Sequence, residues 1–89
     1  MMNQPISLHP RSRQVLNAIA TFIAQNQIPP TIRELGDAVG ISSTSVVTYH
    51  IHQLERKGLI DRFQSASRFS ASRNIRLTDD GRAVAKVSV

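Results

Sequence analysis

Polar side chains suited to hydrogen bonding are spaced to share one side of a helix across residues 43–56. With Val47 at the centre of the buried side and 100° per residue, the opposite side carries Ser45, Tyr49, His52 and Arg56, with Thr48 at its flank. Hydroxyl, imidazole and guanidinium groups can bond base edges and phosphates, and no acidic residue precedes Glu55 on this helix. Solvent exposure explains any one of them equally well. As a set they favour contact with a nucleic acid.

No residues have the spacing of a catalytic or metal site. His50 and His52 are two apart and point about 200° from each other on a helix, so they cannot share a metal ion. We expect His50 to border the core and His52 to face solvent. No serine has a base partner at a typical spacing, and there is no glycine-rich phosphate loop and no cysteine. We therefore expect no enzyme activity, no cofactor and no metal.

The charge balance favours a polyanionic partner. The 89 residues include 11 Lys and Arg against 6 Asp and Glu, which gives a formal net charge of +5. A soluble basic domain without a polyanionic partner would show the same balance. Charge alone therefore does not decide whether the chain binds a polyanion. This length suits one small domain with about three helices.

The sequence has neither a membrane span nor a secretory signal. No apolar run approaches the roughly 18 residues that cross a bilayer. The first 13 residues lack the apolar centre of a signal peptide. We expect a cytoplasmic protein with no membrane partner.

Residues 31–58 predict two short helices joined by a tight turn. Thr31 and Glu34 fit a capping box at the start of the first helix. An apolar stripe follows and ends at a glycine: Leu35, Ala38, Val39 and Gly40. Either Ser42 or Ser43 caps the second helix, about 43–57, whose buried side is Val47, Ile51 and Leu54. This order is typical of a helix-turn-helix.

The residues before this unit predict one more helix. Apolar residues recur at helical spacing from Arg11 to Gln25, and Pro10 suits the first turn. Residues 1–9 have no periodicity and are expected to form a flexible arm. Ile28 is expected to turn inward, with a very short strand as one option.

Beyond Gly58 the apolar period changes to that of strands. Residues 59–64 and 74–77 predict a hairpin, with Ile75 and Leu77 on one face and Arg76 on the other. The intervening SASRF and SASRN repeat one five-residue unit, and residues 62–76 hold four arginines and no acid. A basic hairpin of this kind, about 61–77, predicts a wing that lies on DNA; a solvated basic loop is the alternative. Thr78, Asp79 and Asp80 then open a short helix.

Several short pieces of the sequence occur together in one family of repressors. They are Ile28-Pro29-Pro30-Thr31, Glu34-Leu35, Gly40, Arg56-Lys57-Gly58-Leu59-Ile60, the Ser-Ala-Ser-Arg and Ile75-Arg76-Leu77 pieces of the wing, and Val15, Ile19 and Ile23 of the first helix. From about Arg11 to Leu77 the chain thus resembles the N-terminal DNA-binding domain of the LexA repressor. The resemblance implies a winged helix-turn-helix that binds operator DNA as a dimer and represses transcription.

Carried over by position, the resemblance implies specific contact residues. The base contacts are Ser43, Ser45, Val46, Thr48 and Tyr49, to which the exposed His52 is added. Apart from the resemblance, the residues expected to contact the DNA backbone are Thr31, Arg33, Arg56, Lys57, Arg68, Arg73 and Arg76. Because Thr48 and Tyr49 replace the family's glutamate pair, the preferred base sequence should differ. The wing is also longer, through the repeat.

The expected fold is mainly α with a small β-hairpin, comprising three helices, a wing and a short C-terminal helix. We divide the chain into the arm (1–9), a winged helix-turn-helix (10–78) and a short helix or linker (79–89). The chain stops before any self-cleaving peptidase domain, so Ser-Lys chemistry is not expected. Either the head of a longer repressor or a free-standing regulator fits. The alternative function is a winged-helix module that binds proteins and not DNA.

Overall fold

A computed structural model of the protein describes residues 8–63 and 72–85. The elements, in chain order, are α1 (Pro10–Asn26), α2 (Ile32–Val39), α3 (Thr44–Arg56), β1 (Ile60–Arg62), β2 (Ile75–Leu77) and α4 (Asp79–Ala85). The two strands pair antiparallel, with Ile60 opposite Leu77 and Arg62 opposite Ile75. Most of the expected arm and the tip of the expected wing lie outside the described residues. Within them, no helix is long and apolar enough to cross a membrane.

The first helix begins and ends where its local chemistry requires. Pro10 occupies the first turn, and the His9 ring Nδ1 accepts a hydrogen bond from the Arg11 amide at 3.1 Å. At the other end Gln27 adopts a left-handed φ of 63°, and its amide bonds the Ile23 carbonyl at 2.9 Å. That closure directs the chain away from the helix axis and into the proline pair.

One apolar core joins the three long helices to the hairpin. Its fully buried members, all with 0% exposure, are Val15, Leu16, Ile19, Val47, Ile51, Leu54, Leu59 and Ile60. Along β2, Ile75 and Leu77 are buried and Arg76 is exposed, which confirms the predicted alternation. The hairpin is therefore anchored by its inner face.

One local prediction was wrong, and one structural option, the short strand at Ile28, is not the one adopted. Ala38, placed on the buried stripe of α2, is exposed, and Gly36 is buried beside Leu35 instead. The close approach of Gly36 to the following turn rotates the buried side of α2 away from Ala38. Ile28 is half-buried but lies in a bend, not in a strand. The two residues after it are prolines, which have no N–H to donate to a sheet ladder.

The start of α4 is fastened to the end of α3. The Thr78 hydroxyl donates to the Gly58 carbonyl at 2.7 Å and accepts from the Gly81 amide at 2.9 Å, which confirms it as the cap. Gly81 packs so closely that an added Cβ would lie 1.9 Å from the Leu59 carbonyl oxygen. The glycine is needed for space at this contact.

We predict that Gly81→Ala destabilises the domain. Helix propensity alone would give a gain of about 1 kcal/mol, but overpacking against Leu59 should lead to a net loss of about 1–3 kcal/mol. Thermal unfolding measures the difference. Ala83→Gly, on the exposed side of the same helix, is the matched control for propensity. If Gly81→Ala gained what Ala83→Gly loses, the close contact would be refuted.

Candidate nucleic-acid interface

Helix α2 begins with a complete capping box. The Thr31 hydroxyl oxygen accepts from the Glu34 amide at 3.1 Å, and the Glu34 Oε1 accepts from the Thr31 amide at 2.8 Å. Thr31 is half-buried, and Arg33, the second residue of α2, is exposed. The Thr31 hydroxyl keeps its own proton available to donate outward.

The turn between α2 and α3 is closely packed. Gly40 has φ 75°, a left-handed value that suits glycine, and the Ile41 amide bonds the Gly36 carbonyl at 2.9 Å. A Cβ on Gly36 would lie 2.6 Å from the Ile41 carbonyl oxygen. Of the two candidate caps, Ser43 is the one used, since its hydroxyl accepts from the Val46 amide at 3.3 Å. These contacts define where α3 begins.

Helix α3 has one buried side and one exposed side. Val47, Ile51 and Leu54 are fully buried, as predicted. The predicted base-contact residues Ser43, Ser45, Val46, Tyr49 and His52 are all exposed, and Thr48 is half-buried at the flank. The structure thus brings the whole set to one surface, although contact with DNA itself stays a prediction.

His50, a buried residue of α3, connects that helix to α1. It is 6% exposed, and its Nδ1 is 2.8 Å from the Ser12 hydroxyl oxygen. Burial, with the nearby charges of His9 and Arg11, lowers the pKa of His50 below its ordinary value. The Tyr49 ring meets His50 edge-on, with centroids 5.3 Å apart. Within residues 8–63 and 72–85, no three His, Cys, Asp or Glu side chains are grouped to hold a metal ion.

Arg11 fastens the start of α1 to the end of α2. Its guanidinium donates to the Val39 carbonyl at 3.0 Å and to Gln14 Oε1 at 2.7 Å. A cation is favourable there, since the last carbonyls of a helix carry partial negative charge. No local pattern reveals this contact, because the two partners are 28 positions apart.

Arg73 forms an internal clamp rather than a free basic group. Its guanidinium makes a bidentate ion pair with Glu34 at 2.8 and 2.9 Å and also donates to the Pro29 carbonyl at 2.8 Å. The Phe22 ring lies 6.0 Å from the guanidinium carbon. A contact with the DNA backbone was expected, but three of the five N–H donors of Arg73 are used by Glu34 and Pro29. The clamp ties the base of the hairpin to the start of α2.

The other predicted backbone residues are differently placed. Arg33, Arg56 and Lys57 are exposed. Arg76 pairs with Asp61 at 3.3 Å, with the two side chains 62% and 52% exposed. Such a solvated pair contributes little to stability, roughly 0–1 kcal/mol, and its cation can exchange partners. Arg68 lies outside the described residues.

These elements define the class of the protein: a winged helix-turn-helix, in which a capped, surface-exposed second helix is followed by a two-stranded hairpin. The fold is shared with the solved structure of wild-type Lactococcus lactis ZitR in complex with DNA, at a TM-score of 0.71 and 23% identity. The match covers 94% of this chain and 52% of that one. The sequence model of the LexA DNA binding domain matches residues 6–69, and the chain belongs to that family.

Named relatives agree with the family assignment. The LexA repressor of Corynebacterium efficiens is 40% identical over 76 residues, covering 85% of this chain and 33% of that protein. The LexA repressor of Roseiflexus sp. is 46% identical over 67 residues, covering 75% and 31%. The chain therefore spans about a third of the length of these relatives. The family is one of DNA-binding domains and not of catalytic ones.

We predict that the clamp gives the domain an acid-dependent stability. The Arg73 guanidinium, and next the Thr31 amide, lower the pKa of Glu34. A carboxyl with a lowered folded-state pKa stabilises the fold above its unfolded-state pKa of about 4.5, and this is lost as pH falls through the folded value. Melting temperatures from pH 7 to pH 3 should fall less in Arg73→Met than in the parent. Arg76→Met, which breaks the solvated pair, is the matched control. Equal pH dependence in all three proteins would contradict the role of the clamp.

Proposed function

We propose that the chain binds double-stranded DNA at preferred sequences and serves as the DNA-reading part of a transcriptional repressor or regulator. The observation that carries the proposal is the exposed N-terminal half of α3. Ser45, Val46 and Tyr49 project there while the opposite side is fully buried. In helix-turn-helix proteins this half of the second helix enters the major groove.

Short hydroxyl side chains suit a helix that approaches bases closely. Ser45 offers one donor and two acceptor sites, and Thr48 offers the same from the flank. Ser43 offers its donor and one acceptor site, since its oxygen already accepts from the Val46 amide. His52, one turn further along, can donate to a guanine edge. Tyr49 is long enough to reach a base or a phosphate.

The proposed phosphate contacts flank the helix-turn-helix at both ends. Thr31 and Arg33 lie at the start of α2, and Arg56 and Lys57 end α3. An α-helix start favours a nearby anion, because its free amides point outward. The three cations are exposed, and within residues 8–63 and 72–85 none of them forms an ion pair that phosphate binding would have to break.

The wing is proposed to follow the DNA backbone or the minor groove. Arg68 and Arg76 are assigned to this contact, with Arg76 leaving its solvated pair with Asp61. Arg73 is assigned instead to holding the hairpin base against Glu34. A wing that is held at its base can reach phosphates at a defined distance from α3.

We also propose that two copies bind a two-fold symmetric operator. The named relatives are repressors, and dimers of helix-turn-helix proteins read half-sites about one helical turn apart. The 89-residue chain alone is expected to be monomeric without DNA. Sequence selection from a random duplex pool tests binding, preferred bases and half-site spacing together. If no duplex is bound at low salt, the protein-binding alternative replaces this proposal.

We predict strongly salt-dependent binding. Two copies with five cationic contacts each should lose roughly a thousandfold or more in affinity between 50 and 200 mM salt, through counterion release. Arg68→Ala should weaken binding to all sequences alike and reduce the salt slope by about one per lost contact. Arg82→Ala, whose side chain pairs with Asp79 on α4, is the control and should leave the slope unchanged. Affinity independent of ionic strength would refute the phosphate contacts.

We predict opposite effects for two neighbouring substitutions in α3. Thr48→Ala should leave the melting temperature nearly unchanged and reduce discrimination at one base pair by about 1–3 kcal/mol. Val47→Ala should leave the selected sequence unchanged and lower stability by about 2 kcal/mol, since it opens a cavity in the core. Selection and thermal unfolding on both variants make the test. If neither Thr48→Ala nor Tyr49→Ala alters the selected sequence, α3 does not read the bases.

A further inference from the structure

An apolar ridge lies on the part of α3 that is proposed to enter the groove. Val46 is 44% exposed and Tyr49 is 58% exposed, and these are the large hydrophobic residues that the described part of the chain leaves at the surface. Because they are three positions apart on a helix, their Cβ atoms lie about 5–6 Å from each other. Positions at this spacing are neighbours on the helix surface, and this pair is defined here as the Val46–Tyr49 ridge.

The start of α3 lacks the residues that make paired hydrogen bonds to bases. Residues 41–52 contain no Arg, Lys, Asn, Gln, Asp or Glu, the types that bond guanine, adenine or cytosine in that way. The next amide, Gln53, is half-buried and about 10 Å further along the helix than Val46. A single serine hydroxyl can bond several bases and discriminates little between them. Beyond the one base pair assigned to Thr48, base choice at this surface must therefore come largely from another type of contact.

The only apolar group on a major-groove base edge is the C5 methyl of thymine. Val46 has no hydrogen-bonding atom in its side chain, so a methyl group is the partner that its chemistry fits. The Tyr49 ring offers a second apolar surface beside it.

The ridge is held in place before any DNA arrives. The Tyr49 ring lies edge-on to His50, and the His50 ring is fixed by its hydrogen bond with Ser12. At Val46 the Ser43 cap holds the backbone amide, and a β-branched side chain has one strongly preferred rotamer in a helix. Groups that are already ordered lose less entropy on binding, so their contacts contribute more to affinity.

We propose that the Val46–Tyr49 ridge reads thymine methyl groups, so that each half-site carries one or two thymines facing the start of α3. The inference rests on the proposed function and names the base feature by which the site is chosen.

The test removes single methyl groups from the DNA. After the preferred duplex has been selected from a random pool, each thymine is replaced in turn by deoxyuridine, which lacks only the C5 methyl. With the unaltered 89-residue protein at fixed salt, one or two replacements per half-site should weaken binding about fourfold each, which is the ~0.8 kcal/mol of one buried carbon group. The other replacements should have no effect.

A substitution in the protein tests whether the thymine methyl contacts the Val46–Tyr49 ridge. With Val46→Ser, the fourfold loss at one of these thymines should disappear, because no apolar group is left opposite the methyl. Ala83→Ser, at an exposed position of α4, is the control and should retain the loss. Val46 is exposed, so its variant should melt close to the parent, and the deoxyuridine series on the unaltered protein stands without it.

Failure of the inference is distinguishable from failure of the proposed function. A tightly bound selected duplex in which every deoxyuridine replacement changes affinity less than twofold overturns methyl reading and leaves DNA binding intact. A selected site without thymine facing α3 does the same. A pool that yields no preferred duplex overturns the proposed function and this inference with it.

Discussion

Complete burial of one side of α3 is the constraint on which the rest of the structure depends. Val47, Ile51 and Leu54 are each 0% exposed, and together they fix the rotation of the helix about its axis. One residue of slip would rotate the surface by 100° and exchange exposed groups for buried ones. The core thereby determines which side chains α3 presents outward. The same packing therefore stabilises the domain and sets which side of α3 is exposed.

Glu34 joins three parts of the fold through one carboxylate. It caps α2, pairs with Arg73 at the hairpin base and, through Arg73, reaches the Pro29 carbonyl. A carboxylate has about four acceptor sites, so it can serve the Thr31 amide and two guanidinium N–H groups at once. The hairpin is in this way positioned relative to the helix-turn-helix by a directional contact as well as by apolar packing.

Net charge is a poor guide to which arginines are available to a polyanion. The chain carries a formal +5, yet Arg11 closes the end of α2 and Arg73 is held by Glu34. Of the exposed cations in the described part of the chain, Arg33, Arg56 and Lys57 flank the helix-turn-helix, whereas Arg13 lies on α1 and Arg82 on α4. Composition therefore overstates how many cations this surface offers.

The sequence by itself determined the elements and their faces, because these depend on neighbours within a few positions. The capping box, the α3 stripe and the alternation of β2 follow from local periodicity and capping chemistry. Short contiguous segments of the sequence also indicated the resemblance to LexA-type DNA-binding domains. Only the tertiary structure decided what distant residues do to one another. Three such contacts join positions 22 to 39 residues apart. They are the ion pair of Glu34 with Arg73, the hydrogen bond of Arg11 to Val39, and the close approach of Gly81 to Leu59. Such contacts have no local signal, since they arise only when the core brings the elements together.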